Sequence, residues 1–206
     1  MRPSTEVNGA RRLPGTLEHF IAMPYDVEIK ELQDSAIAAG LNYEIWSVLA
    51  SGDTHSKHVD VMNRYIGYFQ IAISAHFSAM VLALYRLYGT KSDTHNIPTF
   101  INRAELDGAL SKADADSARA QYAALKPAWS KVSILRNRLY GHRAANMAVQ
   151  EVFAEAGFTP FEFRDLVAKT KELLNDLNDK LRDSSHALNL TSTHETIRIL
   201  DAPKGR

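Results

Sequence analysis

Apolar residues recur three and four positions apart over most of this chain, which is the spacing of one buried face on an α-helix. A first helix is predicted over about residues 26–50, where Asp26 is a favourable N-cap. A second is predicted over about residues 57–88, the most apolar part of the sequence. Its centre, residues 71–85, is shorter than the ~20 residues that span a bilayer and contains a histidine and two serines. The pattern therefore favours a buried core helix.

Proline and glycine divide the next part of the chain. A short helix is predicted over residues 98–110, because proline suits the first turn of a helix. A longer helix begins at Ala113 and is expected to end near Gly141, with Pro127 kinking it or dividing it in two. Another short helix follows over about residues 146–156.

The clearest helix start in the sequence is at Thr159. Thr159 as N-cap and Glu162 at the third helical position form a capping box. Phe158 and Phe163 flank them at the positions of a hydrophobic staple. A long amphipathic helix is therefore predicted from here to about Leu181.

Four long amphipathic helices with shorter ones between them predict an all-α, up-and-down helical bundle. We expect the bundle to occupy residues 26–188, between a flexible N-terminal arm at 1–25 and a C-terminal tail at 189–206. Residues 196–199 of the tail alternate polar and apolar side chains, so they are expected to form a short strand or to lie loose.

The charge balance limits the kinds of partner. The 24 basic residues equal the 24 acidic ones, so a polyanion would have to be bound by a local cluster. The absence of cysteine excludes disulfides, thiol nucleophiles and cysteine-ligated zinc, and it suits a reducing compartment. No apolar segment of signal-peptide length is found near the N-terminus, so we expect a cytoplasmic protein that makes no membrane contact.

Histidines offer the few candidates for a metal site. His55 and His58 could share one helix face beside Asp53 and Asp60, but the spacing fixes no third ligand. Capping and solvated side chains account for the same residues, so neither a metal site nor a cofactor is predicted. His76 lies alone on an apolar helix and is expected to be a hydrogen-bonded core histidine.

The segment LRNRLYGH, residues 135–142, concentrates the candidate chemistry. It resembles the signature of the HEPN superfamily, an arginine and a histidine with four to six residues between them. The loose signature carries little weight, because Arg12 and His19 also fit it. Asn137, directly after Arg136, and the position of the segment inside a predicted bundle make the match more specific.

The resemblance extends to LYRLYG (84–89), to the short helix after Pro98 and to LRNRLYGHR (135–143). Together they look like the abortive-infection AbiU-type HEPN domain. That resemblance implies an all-α bundle that often forms homodimers. Many proteins with this domain are metal-independent endoribonucleases of phage defence or of toxin–antitoxin systems, so the resemblance implies the same activity here. It also implies an antitoxin or a phage-derived protein as a further partner.

The resemblance assigns catalytic roles to Arg136, His142 and Asn137. A histidine can move a proton at neutral pH, and an arginine can stabilise charge on a phosphate. An asparagine can orient the imidazole. Arg136 and His142 are six positions apart, which leaves them roughly 120° from a shared face on a regular α-helix. Either the helix unwinds at Gly141 or the site is composed across two subunits.

Arg138, Arg143, Tyr140 and Lys131 are expected to bind the RNA substrate. A structural interpretation stays open, because cations are stabilised near a helix C-terminus and His142 could cap the last carbonyls. The alternative function is a non-catalytic HEPN bundle that serves as a protein-binding or RNA-binding module.

Overall fold

A computed structural model of the chain describes residues 24–89, 94–141, 149–182 and 190–202. Every regular element in these ranges is a helix, which confirms the predicted all-α bundle. The elements are α1 (Pro24–Ala50), α2 (Gly52–Arg64), α3 (Ile66–Tyr88), α4 (Ile97–Leu106), α5 (Lys112–Ala124), α6 (Lys126–Leu135), a π-helix (Arg136–Gly141), α7 (Val149–Ala156), α8 (Pro160–Arg182) and α9 (Thr193–Asp201).

The core lies where α1, α3, α6 and α8 meet. α1 packs along α3 and α8, and α6 closes the bundle against α3 and α8. Each of these helices contributes fully buried side chains, such as Ala39, Leu84, Leu135 and Leu173. Burying one large aliphatic side chain contributes about 1.5–3 kcal/mol, so the amphipathic faces seen in the sequence account for the packing.

The predicted helix over residues 57–88 is wrong as a single element. α2 begins earlier, at Gly52, and ends at Arg64, and Tyr65 has non-helical backbone angles (φ −118°, ψ 37°). The break lets Met62 and Phe69 pack into one small cluster. Apolar periodicity continues across the break, so the sequence pattern could not reveal it.

Gly108 ends α4 at Leu106, four residues before the predicted end at Leu110. The glycine has φ +76°, a left-handed conformation that favours glycine and terminates helices. The predicted division of the next helix is confirmed, because α5 ends at Ala124 and α6 begins two residues later, with Pro127 in its first turn.

The predicted start of α8 is confirmed atom by atom. The backbone N–H of Thr159 donates to Glu162 Oε2 at 2.8 Å, and the N–H of Glu162 donates to Thr159 Oγ1 at 3.3 Å. The rings of Phe158 and Phe163 lie 3.9 Å apart, centroid to centroid, which completes the staple. A capping box of this kind satisfies two backbone donors that the helix itself cannot.

Residues 193–201 form helix α9, so the expected strand or loose segment at 196–199 is wrong. Leu200 packs with residues of α1, α2 and α3. The Glu44 carboxylate accepts the N–H groups of Ser192, at 2.5 Å, and of Thr193, at 3.1 Å. Burial opposes the charge of Glu44, but these bonds prevail and lower its pKa. Tertiary capping from α1 therefore sets the conformation of this segment.

The two halves of α3 have different environments. By length and composition α3 could cross a membrane, with mean hydropathy 1.5, but core helices pass the same test. Its C-terminal half is buried, as predicted, whereas the prediction is wrong for much of its N-terminal half. One line of positions along α3, which we call the α3 stripe, is exposed or half-buried and mostly apolar. The α3 stripe consists of Tyr68, Ile71, Ala75, Ser78 and Leu82.

Candidate functional site

The segment LRNRLYGH lies where α6 changes into a π-helix. Arg136–Gly141 form this π-helix, whereas a regular α-helix was expected to continue to Gly141. Short π segments are rare and occur frequently at functional sites. Leu135 is fully buried and Leu139 packs against the core, which anchors one side of the segment. The polar side chains between them are therefore held at the surface of the bundle.

Arg136 is stacked on an aromatic ring. Its guanidinium carbon lies 4.5 Å from the ring centroid of Tyr85 on α3. Its Nη1 donates to the Oδ1 of Asn137 at 3.0 Å. Within the described ranges, no carboxylate lies at ion-pair distance from Arg136. Among the described residues, Arg136 is thus positioned by neutral groups.

The other cations of the predicted RNA-binding cluster that lie within the described residues have acidic partners. Arg138 Nη2 lies 3.5 Å from Glu155 Oε1 on α7. Lys131 Nζ lies 2.6 Å from Glu162 Oε1 and donates to the carbonyl of Gly157 at 2.7 Å. The structure therefore separates Arg136 from the two cations that sequence alone grouped with it.

Tyr140 links the π-helix to α3 at a second point. The tyrosine is 38% exposed and lies near Ser78 of the α3 stripe. Partial burial raises the pKa of the phenol, and the nearby Ser78 hydroxyl opposes that rise. Leu82, exposed on α3, lies one helical turn from both Ser78 and Tyr85. The α3 residues next to Arg136 and Tyr140, namely Tyr85 and Ser78, thus lie at the C-terminal end of the α3 stripe.

Behind the site, three aromatic rings form a stack. Tyr88 lies 5.6 Å from Tyr122 and 5.9 Å from Trp129, with interplanar angles of 25° and 14°. The hydroxyl of Thr170 donates to the carbonyl of Leu166, so Tyr88 donates its own hydroxyl to Thr170 at 2.6 Å. These contacts join α3, α5, α6 and α8 close to Tyr85 and make its surroundings rigid.

His142 and Arg143 lie outside the described residues. The predicted proton transfer by His142 and RNA binding by Arg143 therefore stay predictions. Tyr85 was not singled out from the sequence. It belongs to the LYRLYG segment, but nothing in the spacing between residues 85 and 136 indicates that they meet.

Two of the other histidines, His76 and His58, have structural surroundings. His76 Nδ1 is 2.7 Å from Asn42 Oδ1, which confirms the predicted hydrogen bond. The side chain is half-buried rather than in the core, and this burial lowers its pKa. His58 lies at a kink within α2, with Nε2 3.7 Å from Asp201 Oδ1. In the part of the chain that the structure describes, no three acidic or histidine side chains are grouped to hold a metal ion.

Comparison with known families agrees with this arrangement. The model of the HEPN AbiU2 family, described as AbiU2, matches residues 25–199, a range that includes the whole π-helix and Tyr85. No curated protein and no solved structure matches the chain. Because the family match covers most of the sequence and the fold is an all-α bundle, the chain belongs to the AbiU2 family of HEPN domains.

Proposed function

We propose that this protein is a metal-independent endoribonuclease that acts in the cytoplasm in phage defence by abortive infection, or as the toxin of a toxin–antitoxin system. The observation that carries the proposal is Arg136, a stacked guanidinium with no carboxylate partner among the described residues. A guanidinium of this kind can receive a phosphate without first breaking an ion pair.

The proposed reaction is transesterification within the RNA chain. The 2′-hydroxyl attacks the adjacent phosphorus, the bond to the 5′-oxygen breaks, and a cyclic phosphate remains on the first fragment. His142 takes the proton of the hydroxyl or delivers one to the leaving oxygen. Arg136 stabilises the charge that develops on the phosphoryl oxygens. Asn137 holds Arg136 through its amide oxygen, and its amide NH₂ can donate to the imidazole.

RNA binding is proposed to be local, because the chain has no net charge. We place Arg136 and Arg143 at its centre, with Tyr140 as an adjacent aromatic surface. Arg138 contributes less, since Glu155 competes for its guanidinium. Lys131 contributes least, since Glu162 and the carbonyl of Gly157 already bind it.

We further propose that the protein is a homodimer. The α3 stripe repeats at alternating spacings of three and four, as do the contact positions of paired helices. Two copies that pair through this stripe would bring their π-helices close to the two-fold axis, because the π-helix packs against α3 with Tyr140 near Ser78 of the stripe. Light scattering should then give twice 23.0 kDa at micromolar concentration. A mass of 23.0 kDa alone would contradict the dimer.

The exposed α3 stripe also supports a second candidate function. A mostly apolar surface of this kind is typical of protein contacts. A non-catalytic bundle that binds an antitoxin, a phage-derived protein or RNA would use the same surface and would need no proton transfer.

Growth of cells that express wild type or His142→Ala distinguishes the two functions. The nuclease predicts toxicity confined to wild type, and the binding module predicts equal growth. Purified wild type should cleave RNA in excess EDTA and leave cyclic-phosphate ends. Loss of cleavage in EDTA, with recovery on adding a divalent ion, would contradict the metal-independent reaction.

A further inference from the structure

The surroundings of Arg136 differ from those of every other stacked cation in the described ranges. Four cations there lie over an aromatic ring, and Arg136 over Tyr85 is the closest, at 4.5 Å. The other three also contact a carboxylate: Arg103 contacts Glu28, Lys131 contacts Glu162, and Arg164 contacts Asp165. Arg136 has the ring without the carboxylate.

The physical consequence concerns which part of the guanidinium is occupied. A carboxylate binds the N–H edge of an arginine, so it competes with an incoming phosphate. An aromatic ring binds the flat face and leaves that edge accessible. Only one N–H of Arg136, on Nη1, is given to Asn137. The face is therefore held while most of the edge stays available.

The ring itself is firmly placed. Tyr85 is half-buried and packs against the core between the fully buried Leu84 and Leu87. It lies one turn before Tyr88, which is held by the aromatic stack and by its bond to Thr170. A ring fixed in this way restricts the rotation of a long side chain that would otherwise sample many rotamers.

We propose that Tyr85 is a positioning residue of the site, whose ring holds the plane of Arg136 so that its N–H edge faces the reacting phosphate. This inference rests on the proposed function of Arg136. The aromatic ring of Tyr85, rather than its hydroxyl, is expected to act on Arg136, because no hydrogen bond of the Tyr85 hydroxyl is found within the described residues. Removing the ring should misplace the charge without removing it.

Single-turnover cleavage of an RNA oligonucleotide tests the effect on the reaction. Tyr85→Leu should lower the rate at saturating RNA by about 3- to 30-fold, the range expected from losing one cation–π contact. The RNA concentration for half-maximal rate should change less. Tyr85→Phe should restore most of the lost rate, because it keeps the ring. In an Arg136→Ala background, Tyr85→Leu should have no further effect.

The matched control is Phe161→Leu. Phe161 is 68% exposed and lies 5.4 Å under Arg164, so the variant also removes a ring beneath an arginine. It should leave the rate unchanged. Equal rates for wild type and Tyr85→Leu would overturn the inference. So would an equal loss for Tyr85→Leu with and without Arg136, because the ring would then act through the fold.

A second readout does not depend on cleavage. The Nε–Hε NMR signal of Arg136 should carry a ring-current shift in wild type and Tyr85→Phe and lose it in Tyr85→Leu. Inorganic phosphate should move this signal in wild type and Phe161→Leu more than in Tyr85→Leu. If wild type cleaves no RNA, the proposed function fails, whereas the role of Tyr85 is judged on these shifts. Identical signals in wild type and Tyr85→Leu would overturn it.

Discussion

Lys131 and Arg136 are two cations on one continuous helical segment, and their surroundings are opposite in kind. Each lies over an aromatic ring, Lys131 over Phe158 and Arg136 over Tyr85. Lys131 also binds Glu162, whose other oxygen accepts the N–H of Thr159 at the start of α8. Arg136 binds no acid among the described residues. The first cation therefore stabilises the junction with α8, whereas the charge of the second is not paired within the described residues.

The largest expected effect is the loss of cleavage in Arg136→Ala. If Arg136 stabilises the developing charge on the phosphate, the single-turnover rate at saturating RNA should fall about 10²–10³-fold. Arg136→Lys should recover little, because an ammonium lacks the planar fork. Lys131→Ala should lower the rate far less, and Arg138→Ala should mainly weaken binding. Equal losses in Arg136→Ala and Lys131→Ala would remove the distinction between the two cations.

A substitution near Lys131 should lower stability and leave the cleavage rate unchanged. Thr159→Ala removes the capping hydroxyl at the Lys131 end and should lower the free energy of unfolding by about 1 kcal/mol. Urea denaturation followed by circular dichroism measures the change. Cleavage under native conditions should not change. Arg136→Ala serves as the comparison. It should lower the cleavage rate strongly and change the free energy of unfolding little.

The salt dependence of RNA binding sharpens the comparison further. Each phosphate contact contributes a slope of about −0.7 in a plot of log affinity against log salt for single strands. Arg136→Ala and Arg143→Ala should each flatten the slope by about that amount, and Lys131→Ala should leave it as it is. Fluorescence anisotropy at several salt concentrations measures the slopes. A flatter slope in Lys131→Ala would show that its ion pair opens to bind RNA.

The smallest expected effect is a pH dependence of stability from Glu162. The bond from Lys131, followed by that from the Thr159 N–H, lowers the pKa of this carboxyl. Its contribution is therefore fully present above the unfolded pKa of about 4.3 and is lost as the pH falls through the lower folded value. The stability difference between wild type and Lys131→Met should shrink in acid. A difference that stays constant down to about pH 2 would contradict this linkage.

Local signals predicted the elements whose determinants are close in sequence. The capping box at Thr159 and the break beside Pro127 depend on neighbouring residues, and both were predicted. The candidate residues Arg136, Asn137 and Tyr140 could be selected together because they lie within one short segment of the chain. This locality explains why short-range patterns were sufficient there.

The features that the sequence did not reveal depend on distant contacts. α9 is capped by Glu44, far away on α1, so its own residues read as a strand. The platform under Arg136 comes from Tyr85 on another helix. The ion pair of Lys131 with Glu162 also joins two helices, so sequence grouped Lys131 with Arg136. In each case a tertiary contact selects among conformations that the local sequence permits.

The π-helix has a consequence for insertions and deletions during evolution. Its hydrogen-bonded ring contains one residue more than that of an α-helix, so Arg136–Gly141 hold extra chain within a continuous helix. Deleting a single residue here would remove the extra residue, restore regular α-helical bonding and change which side chains within the segment face α3. The placement of Arg136 and Tyr140 against α3 would change with it. Selection for the site should therefore conserve the length of this segment as strictly as its residues.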